Sequence, residues 1–128
     1  MSSQSKYISD ENKRKIITAA VKLVNENAGN FVNKEDDKTK ISKSSLRNLL
    51  SAADGLPEEF IVFSHYLAGK NNENKNLKKF IQSINEKINT LTKELKLDAQ
   101  KGLVIKEFMA AIVMASRYCA ASNQKIII

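Results

Sequence analysis

The stretch Leu77-Lys-Lys-Phe-Ile-Gln-Ser-Ile-Asn-Glu-Lys-Ile-Asn-Thr-Leu-Thr-Lys-Glu-Leu95 decides the fold class. Its large apolar residues recur every three or four positions, which is the period of one face of an α-helix. These residues are Leu77, Phe80, Ile81, Ile84, Ile88, Leu91 and Leu95. The positions between them are polar, mostly Lys, Asn, Glu and Thr. The pattern predicts a long amphipathic helix that buries one face.

Four more helices are predicted by the same periodicity on either side of this stretch. They lie at about residues 9–27, 42–54, 57–69 and 98–121. Ser42 is suited to cap the second helix, Pro57 is suited to the first turn of the third, and Gly69 is predicted to end the third. No strand-type alternation of useful length occurs. The predicted fold class is all-α, a compact bundle of about five helices.

The chain length favours one domain. At 128 residues, a chain can bury roughly two thirds of its unfolded surface in one core. We therefore expect residues 1–128 to form a single helical domain. Within it, we expect a flexible segment at residues 1–8, loops at 30–40 and 70–75, and a tail at 123–128. Phe31 and Val32 are the apolar anchors of the first loop.

Composition restricts the compartment and the partners. The chain has 21 Lys and Arg against 14 Asp and Glu, a net charge of +7, which attracts polyanions. Cys119 is the single cysteine, so no internal disulfide forms and a reducing cytoplasm is expected. The first residues lack the apolar core of a signal peptide. The most apolar stretch, 103–115, contains Lys106 and Glu107 and is shorter than the ~20 residues of a spanning helix, so no membrane partner is expected.

Catalytic chemistry is poorly supplied. His65 and Cys119 are the single residues of their types, and neither stands in a nucleophile or metal-ligand motif. We interpret His65 as a packed or partly exposed helix residue and Cys119 as a small buried one. The glycines do not cluster into a phosphate-binding loop. The sequence therefore predicts no enzyme activity, no metal and no cofactor.

Basic side chains near the start of the second helix are the better candidates for a binding site. Phosphate binding requires only a few Lys or Arg side chains on one surface, near helix amino ends. Lys40, Lys43 and Arg47 fit this description. Lys43 and Arg47 are i, i+4 neighbours opposite the leucine face. The alternative interpretation is a solvated helix face without a ligand.

A second basic group follows the third helix. Lys70, Lys75, Lys78 and Lys79 are interrupted only by one acid, Glu73. Lysines at a helix amino end oppose the helix dipole, which favours a purpose other than stability. Arg117 stands in the apolar last helix, where it reaches phosphate, forms an internal ion pair or extends its charged end to the surface. The predicted nucleic-acid-binding residues are Lys40, Lys43, Arg47, Lys70, Lys78, Lys79 and Arg117.

Three stretches carry a family resemblance through their order and spacing. They are Lys40-Ile-Ser-Lys-Ser-Ser-Leu-Arg-Asn-Leu-Leu-Ser51, Tyr66-Leu-Ala-Gly-Lys70 with Leu77-Lys-Lys-Phe80, and Phe108-Met-Ala-Ala-Ile-Val-Met-Ala-Ser-Arg-Tyr118. Together they resemble the small helical subunit of type III-A (Csm-type) CRISPR-Cas effector complexes. The sequence departs from the family pattern at Lys70, where arginine is usual, and at 114–117, where Ala-Tyr-His is commoner.

The resemblance implies a non-catalytic subunit of an antiviral defence complex. Such subunits stack in several copies and help to hold guide RNA paired with target RNA through its backbone. The implied RNA-facing residues are Arg47, Lys43 and Lys70. The implied partners are guide RNA, target RNA and the other effector subunits. Self-association through the last helix and residues 126–128 is a further expectation.

Two other functions remain open from the sequence. Residues 45–67 read as helix, turn, helix, as in a DNA-binding regulator, although the second helix begins with Pro57-Glu-Glu, whose carboxylates oppose phosphate. A protein-protein adaptor that binds no nucleic acid is the other alternative. Phosphate binding weakens steeply with salt and apolar docking does not, so salt dependence distinguishes them.

Overall fold

A computed structural model of the chain describes residues 8–32 and 39–128. In chain order the elements are α1 (Asp10–Glu26), a 3-10 turn (Ala28–Asn30), β1 (Phe31–Val32), β2 (Ile41–Ser42), α2 (Lys43–Ala52), α3 (Pro57–Lys70), α4 (Lys75–Glu94), a 3-10 turn (Asp98–Gln100) and α5 (Lys101–Ser122). The prediction of a mostly helical single domain with five helices is confirmed.

Polar side chains fix where the helices begin. Ser9 and Ser42 cap α1 and α2 by accepting backbone N–H groups three residues later, each at 3.2 Å. Pro57 occupies the first turn of α3 as predicted. The prediction that Gly69 ends α3 is wrong, because the helix continues to Lys70. Asn71 is the C-cap residue, and its backbone N–H and its side-chain amide both donate to the carbonyl of Leu67, at 3.1 and 3.0 Å.

The core is built around α5. This helix packs against α1, α2, α4 and β1, and it buries residues around most of its circumference, as its sequence predicts. The buried residues of α5 are Val104, Ile105, Phe108, Met109, Ile112, Val113, Ala115, Ser116 and Cys119. The single buried face predicted for α4 is also confirmed, with Leu95 only partly buried at its end.

A small parallel sheet, β1 with β2, is an element that the sequence did not predict. Phe31 pairs with Ile41 and Val32 with Ser42. Two-residue strands are too short to show alternation, so no sequence pattern could reveal them. Phe31 is buried edge-on against Phe80, with ring centroids 5.3 Å apart. The predicted loop at 30–40 is therefore tied down at both ends, and its residues 33–38 lie outside the described residues.

The predicted flexible segments are partly held against the core. Ile8 is buried, while residues 1–7 lie outside the described ranges. Asn25 anchors the 123–128 tail, because its side chain donates to the carbonyl of Ile126 at 2.8 Å and accepts the Ile126 N–H at 2.9 Å. Within residues 8–32 and 39–128, helices that combine the length and the apolar character needed to cross a bilayer are absent.

Candidate nucleic-acid interface

Helix α2 forms the ridge of the candidate interface. Leu46 and Leu49 bury one face of this helix at 2% and 0% exposure. The opposite face therefore turns to solvent, and Arg47 and Asn48 are exposed there while Lys43 is partly exposed. Arg47 is therefore exposed away from the leucine face, as predicted, whereas Lys43 lies at the edge of that face, beside Leu46, and not opposite it.

A polar groove of about 840 Å³ runs along one side of the α2 ridge. It lies between the beginning of α2, residues 39–42 and the turn at 71–74 that joins α3 to α4. Lys40 and Lys70 both line it, so the fold brings together two predicted residues that are distant in sequence. The groove is also lined by Thr39, Ser42, Ser44, Ser45, Asn48, Leu67, Asn71, Asn72, Glu73, Asn74 and Leu77.

Asparagine side chains hold the groove together. Asn74 caps α4 by accepting the Leu77 N–H at 3.0 Å, and its amide donates to the carbonyl of Lys40 at 2.8 Å. Asn76 donates to the carbonyl of Thr39 at 2.6 Å. The segment that carries Lys40 is thus fixed against the beginning of α4. Both walls of the groove are therefore positioned before any ligand arrives.

Lys78 and Lys79 differ in their relation to this groove. The Lys78 ammonium donates to the side-chain oxygen of Asn72 at 3.0 Å, so Lys78 lies at the groove rim. Lys79 is exposed on α4 and is not among the residues that line the groove. The structure therefore connects Lys78 with the candidate interface and leaves Lys79 outside it.

Lys43 and Arg117 meet on the other side of the ridge. Both border a shallow depression together with Phe31, Val32 and residues of α5. The depression has a volume of only about 10 Å³, hardly enough for one water molecule. It therefore has no room for a ligand inside it. Within the described part of the chain, no carboxylate lies within 4.0 Å of the Arg117 guanidinium. The internal ion pair considered for Arg117 is therefore not formed there.

Arg47 occupies the position between these two surfaces. At about 100° per residue, its side chain emerges between the face of Lys43 and the face of Ser44 and Asn48. The two ion pairs found among the described residues, Lys13–Glu107 and Lys15–Glu11, lie elsewhere, each with a separation of 3.6 Å. The basic groups along α2 are therefore not neutralised by ion pairs with the described residues.

Sequence reasoning missed the asparagine side chains that build the groove, which are Asn71, Asn72, Asn74 and Asn76. Glu73 enters it only as the acid that interrupts the second basic group. The signal was present as the unusual run Asn-Asn-Glu-Asn-Lys-Asn at 71–76. Its meaning depends on residues 39–42, which pack against it only in the folded chain.

Other candidate chemistry is sparse in the described residues. Among residues 8–32 and 39–128, no group of three or more His, Cys, Asp or Glu side chains is arranged to hold a metal ion. His65 is exposed on α3. Cys119 is buried at 1% exposure, as predicted, and burial raises the pKa of its thiol. A thiol with a raised pKa is a poor nucleophile at neutral pH.

Comparison with known proteins adds no relative to these observations. No protein-family model, no curated protein and no solved structure matches this chain. The observations that bear on function are therefore the geometry of the α2 ridge and the three stretches of the sequence.

Proposed function

We propose that this chain binds RNA along the α2 ridge through the RNA backbone, without reading base sequence. One observation carries the proposal: five predicted cationic residues from four parts of the chain converge on this ridge. Lys40 and Lys70 line the groove on one side, and Lys43 and Arg117 border the depression on the other. Arg47 is exposed on α2, and the helical repeat puts it between them. A band of separate cations along a helix suits a polyanion better than a single small anion.

The groups near these cations favour phosphate and sugar contacts. The amino end of α2 borders the groove and brings to it the positive end of the helix dipole. Ser44 and Ser45 line the groove there, and their hydroxyl groups lie 3.3 and 3.0 Å from the Ser42 hydroxyl. The described residues that line the groove include no aromatic side chain on which a base would stack. The expected contacts therefore follow backbone and shape.

We further propose that the chain is the non-catalytic small subunit of a cytoplasmic type III-A (Csm-type) CRISPR-Cas effector complex. The three stretches of the resemblance support this: the first forms β2 and α2, the second borders the groove, and the third contains Arg117 in α5. In this role the chain helps to hold guide RNA paired with target RNA, and other subunits perform the chemistry. Stacked copies multiply the few phosphate contacts that one domain supplies.

Titration of RNA at several salt concentrations tests the proposal. Single-stranded RNA, RNA duplex and DNA are titrated against the wild type and the Lys43→Ala, Arg47→Ala double variant. Loss of two phosphate contacts is expected to flatten the slope of log affinity against log salt by about 1.4 for single strands. Affinity is expected to be indifferent to base sequence.

A control variant with the same charge change makes this test specific. Lys93→Ala with Lys106→Ala also removes two cations, both exposed and neither among the residues that line the groove or the depression. This control is expected to retain most of the wild-type slope. Absence of RNA binding at low salt would contradict the proposal and favour a protein adaptor. Preference for one DNA sequence would favour a regulator instead.

A further inference from the structure

The groove contains one acid among its described lining residues, Glu73. This residue is exposed and occupies the turn between α3 and α4. Lys40 and Lys70 line the same groove. A carboxylate weakens phosphate binding by repulsion, so its position inside a basic groove needs a chemical reason.

The neighbours of Glu73 in the chain are both fixed by hydrogen bonds. Asn72 accepts from the Lys78 ammonium at 3.0 Å, and Asn74 donates to the carbonyl of Lys40 at 2.8 Å. The backbone is also closed across the turn, because the Asn74 N–H donates to the carbonyl of Asn71 at 2.8 Å. The backbone of the turn that carries Glu73 is therefore fixed beside the groove, and the Glu73 side chain is exposed.

The carboxylate of Glu73 is available to a ligand. Among residues 8–32 and 39–128, no Lys, Arg or His nitrogen lies within 4.0 Å of it. Capping of α4 does not need it, because Asn74 already accepts the Leu77 N–H. Proximity to the positive end of the α4 dipole would give Glu73 a small stabilising effect on folding. That effect would change stability without changing which nucleic acid binds.

We propose that Glu73 makes this groove select RNA over DNA by accepting a hydrogen bond from a ribose 2′-hydroxyl. The inference rests on the proposed RNA-binding function. Lysines alone attract RNA and DNA backbones alike, because both carry the same phosphates. The 2′-hydroxyl is the donor that RNA has and DNA lacks, and a carboxylate accepts only from donors. Glu73 therefore repels the phosphates of both nucleic acids, and only RNA offsets this repulsion by donating a hydrogen bond from its 2′-hydroxyl.

Three oligonucleotides of one sequence test this inference: RNA, DNA and 2′-O-methyl RNA. The methylated RNA keeps the RNA-like backbone but cannot donate from the 2′ position, so it separates donation from shape. The wild type is expected to bind RNA about tenfold more tightly than the other two, as one hydrogen bond to a charged group allows. In Glu73→Gln this preference is expected to fall to roughly threefold or less, because the neutral amide oxygen is a weaker acceptor.

Glu86→Gln provides the matched control. Glu86 is exposed in the middle of α4, and its substitution makes the same change in net charge outside the groove. It is expected to keep the wild-type preference for RNA. Thermal unfolding of both variants shows whether Glu73 acts only through α4 stability, in which case the melting temperature changes and the preference does not.

The possible outcomes separate this inference from the proposed function. Salt-sensitive binding with equal affinity for RNA and 2′-O-methyl RNA would overturn the inference and leave the proposed function in place. The inference is also overturned, and the proposed function stays, if Glu73→Gln and Glu86→Gln show the same preference for RNA over DNA and 2′-O-methyl RNA. If none of the three oligonucleotides binds the wild type at low salt, both the proposed function and the inference fail.

Discussion

Asn74→Ala is the substitution that most directly tests how the groove is built. Asn74 makes two hydrogen bonds with different consequences: its oxygen caps α4 through the Leu77 N–H, and its amide donates to the carbonyl of Lys40. Loss of the cap costs about 1 kcal/mol. Loss of the second hydrogen bond costs about 1 kcal/mol more. The free energy of unfolding is therefore expected to fall by about 2 kcal/mol.

Asn74→Asp separates the two contributions. The aspartate keeps an oxygen that caps α4 but lacks the amide hydrogens that donate to Lys40. It is expected to cost about 1 kcal/mol, half as much as alanine. For a chain of this length, about 4 °C of melting temperature corresponds to 1 kcal/mol, so the expected losses are about 8 °C for alanine and about 4 °C for aspartate.

Urea unfolding followed by far-ultraviolet circular dichroism measures both variants. The slope of the free energy of unfolding against urea concentration is expected to stay unchanged, since neither substitution alters the surface exposed on unfolding. Gln82→Ala, at an exposed position of α4, is the control and is expected to be nearly neutral. Equal destabilisation by alanine and aspartate would refute the contribution of the cap, because aspartate keeps the cap and alanine does not. An aspartate variant as stable as the wild type would refute a stabilising contact between Asn74 and Lys40, and a loss below roughly 0.5 kcal/mol for alanine would refute both contributions.

Three further predictions concern the core, the ridge and the buried thiol. Phe80→Ala is expected to lower the free energy of unfolding by about 3 to 5 kcal/mol, because Phe80 is 1% exposed and contacts Phe31 edge-on; a loss under about 1 kcal/mol in urea unfolding would contradict this packing. Arg117→Ala is expected to flatten the salt dependence of single-stranded RNA binding by about 0.7 with stability within roughly 0.5 kcal/mol of the wild type; an unchanged slope in the titration would remove Arg117 from the interface. Burial raises the pKa of the Cys119 thiol above its ordinary value of 9.0. As pH rises, the thiol therefore loses its proton in the unfolded chain before it does so in the folded chain. The free energy of unfolding is expected to be constant in this respect below pH 9.0 and to fall as pH rises from there through the raised pKa. Urea unfolding of wild type and Cys119→Ala from about pH 8 to about pH 10 checks this, and an identical pH dependence in both proteins would contradict it.

The helices could be predicted because their signals are local. The apolar face of α4 repeats every three or four residues, and Ser42 and Pro57 mark helix starts within a few positions. The wrong end at Gly69 shows where local signals fail. A glycine permits a helix to stop but does not require it, and α3 continues one residue further to its C-cap at Asn71.

The interface was only partly accessible from the sequence. Lys43 and Arg47 could be placed together because they are one helical turn apart. That Lys40 and Lys70 share a groove, and that Arg117 lies beside Lys43, depends on how α2, α3 and α5 pack. Lys79 shows the opposite case, since proximity in sequence to Lys78 did not bring it to the groove.

The sequence by itself determined five helices, their buried faces and the basic surface of α2, because each follows from residues within a few turns of one another. Tertiary structure alone decided the β1–β2 pair, the closure of the groove and the position of Glu73 within it. The Asn74 contact with Lys40 joins residues 34 apart, and the Asn25 contact with Ile126 joins residues 101 apart. Such contacts form only after burial of the helix faces has fixed the chain in three dimensions, because closing a long loop costs entropy that a single polar contact does not offset.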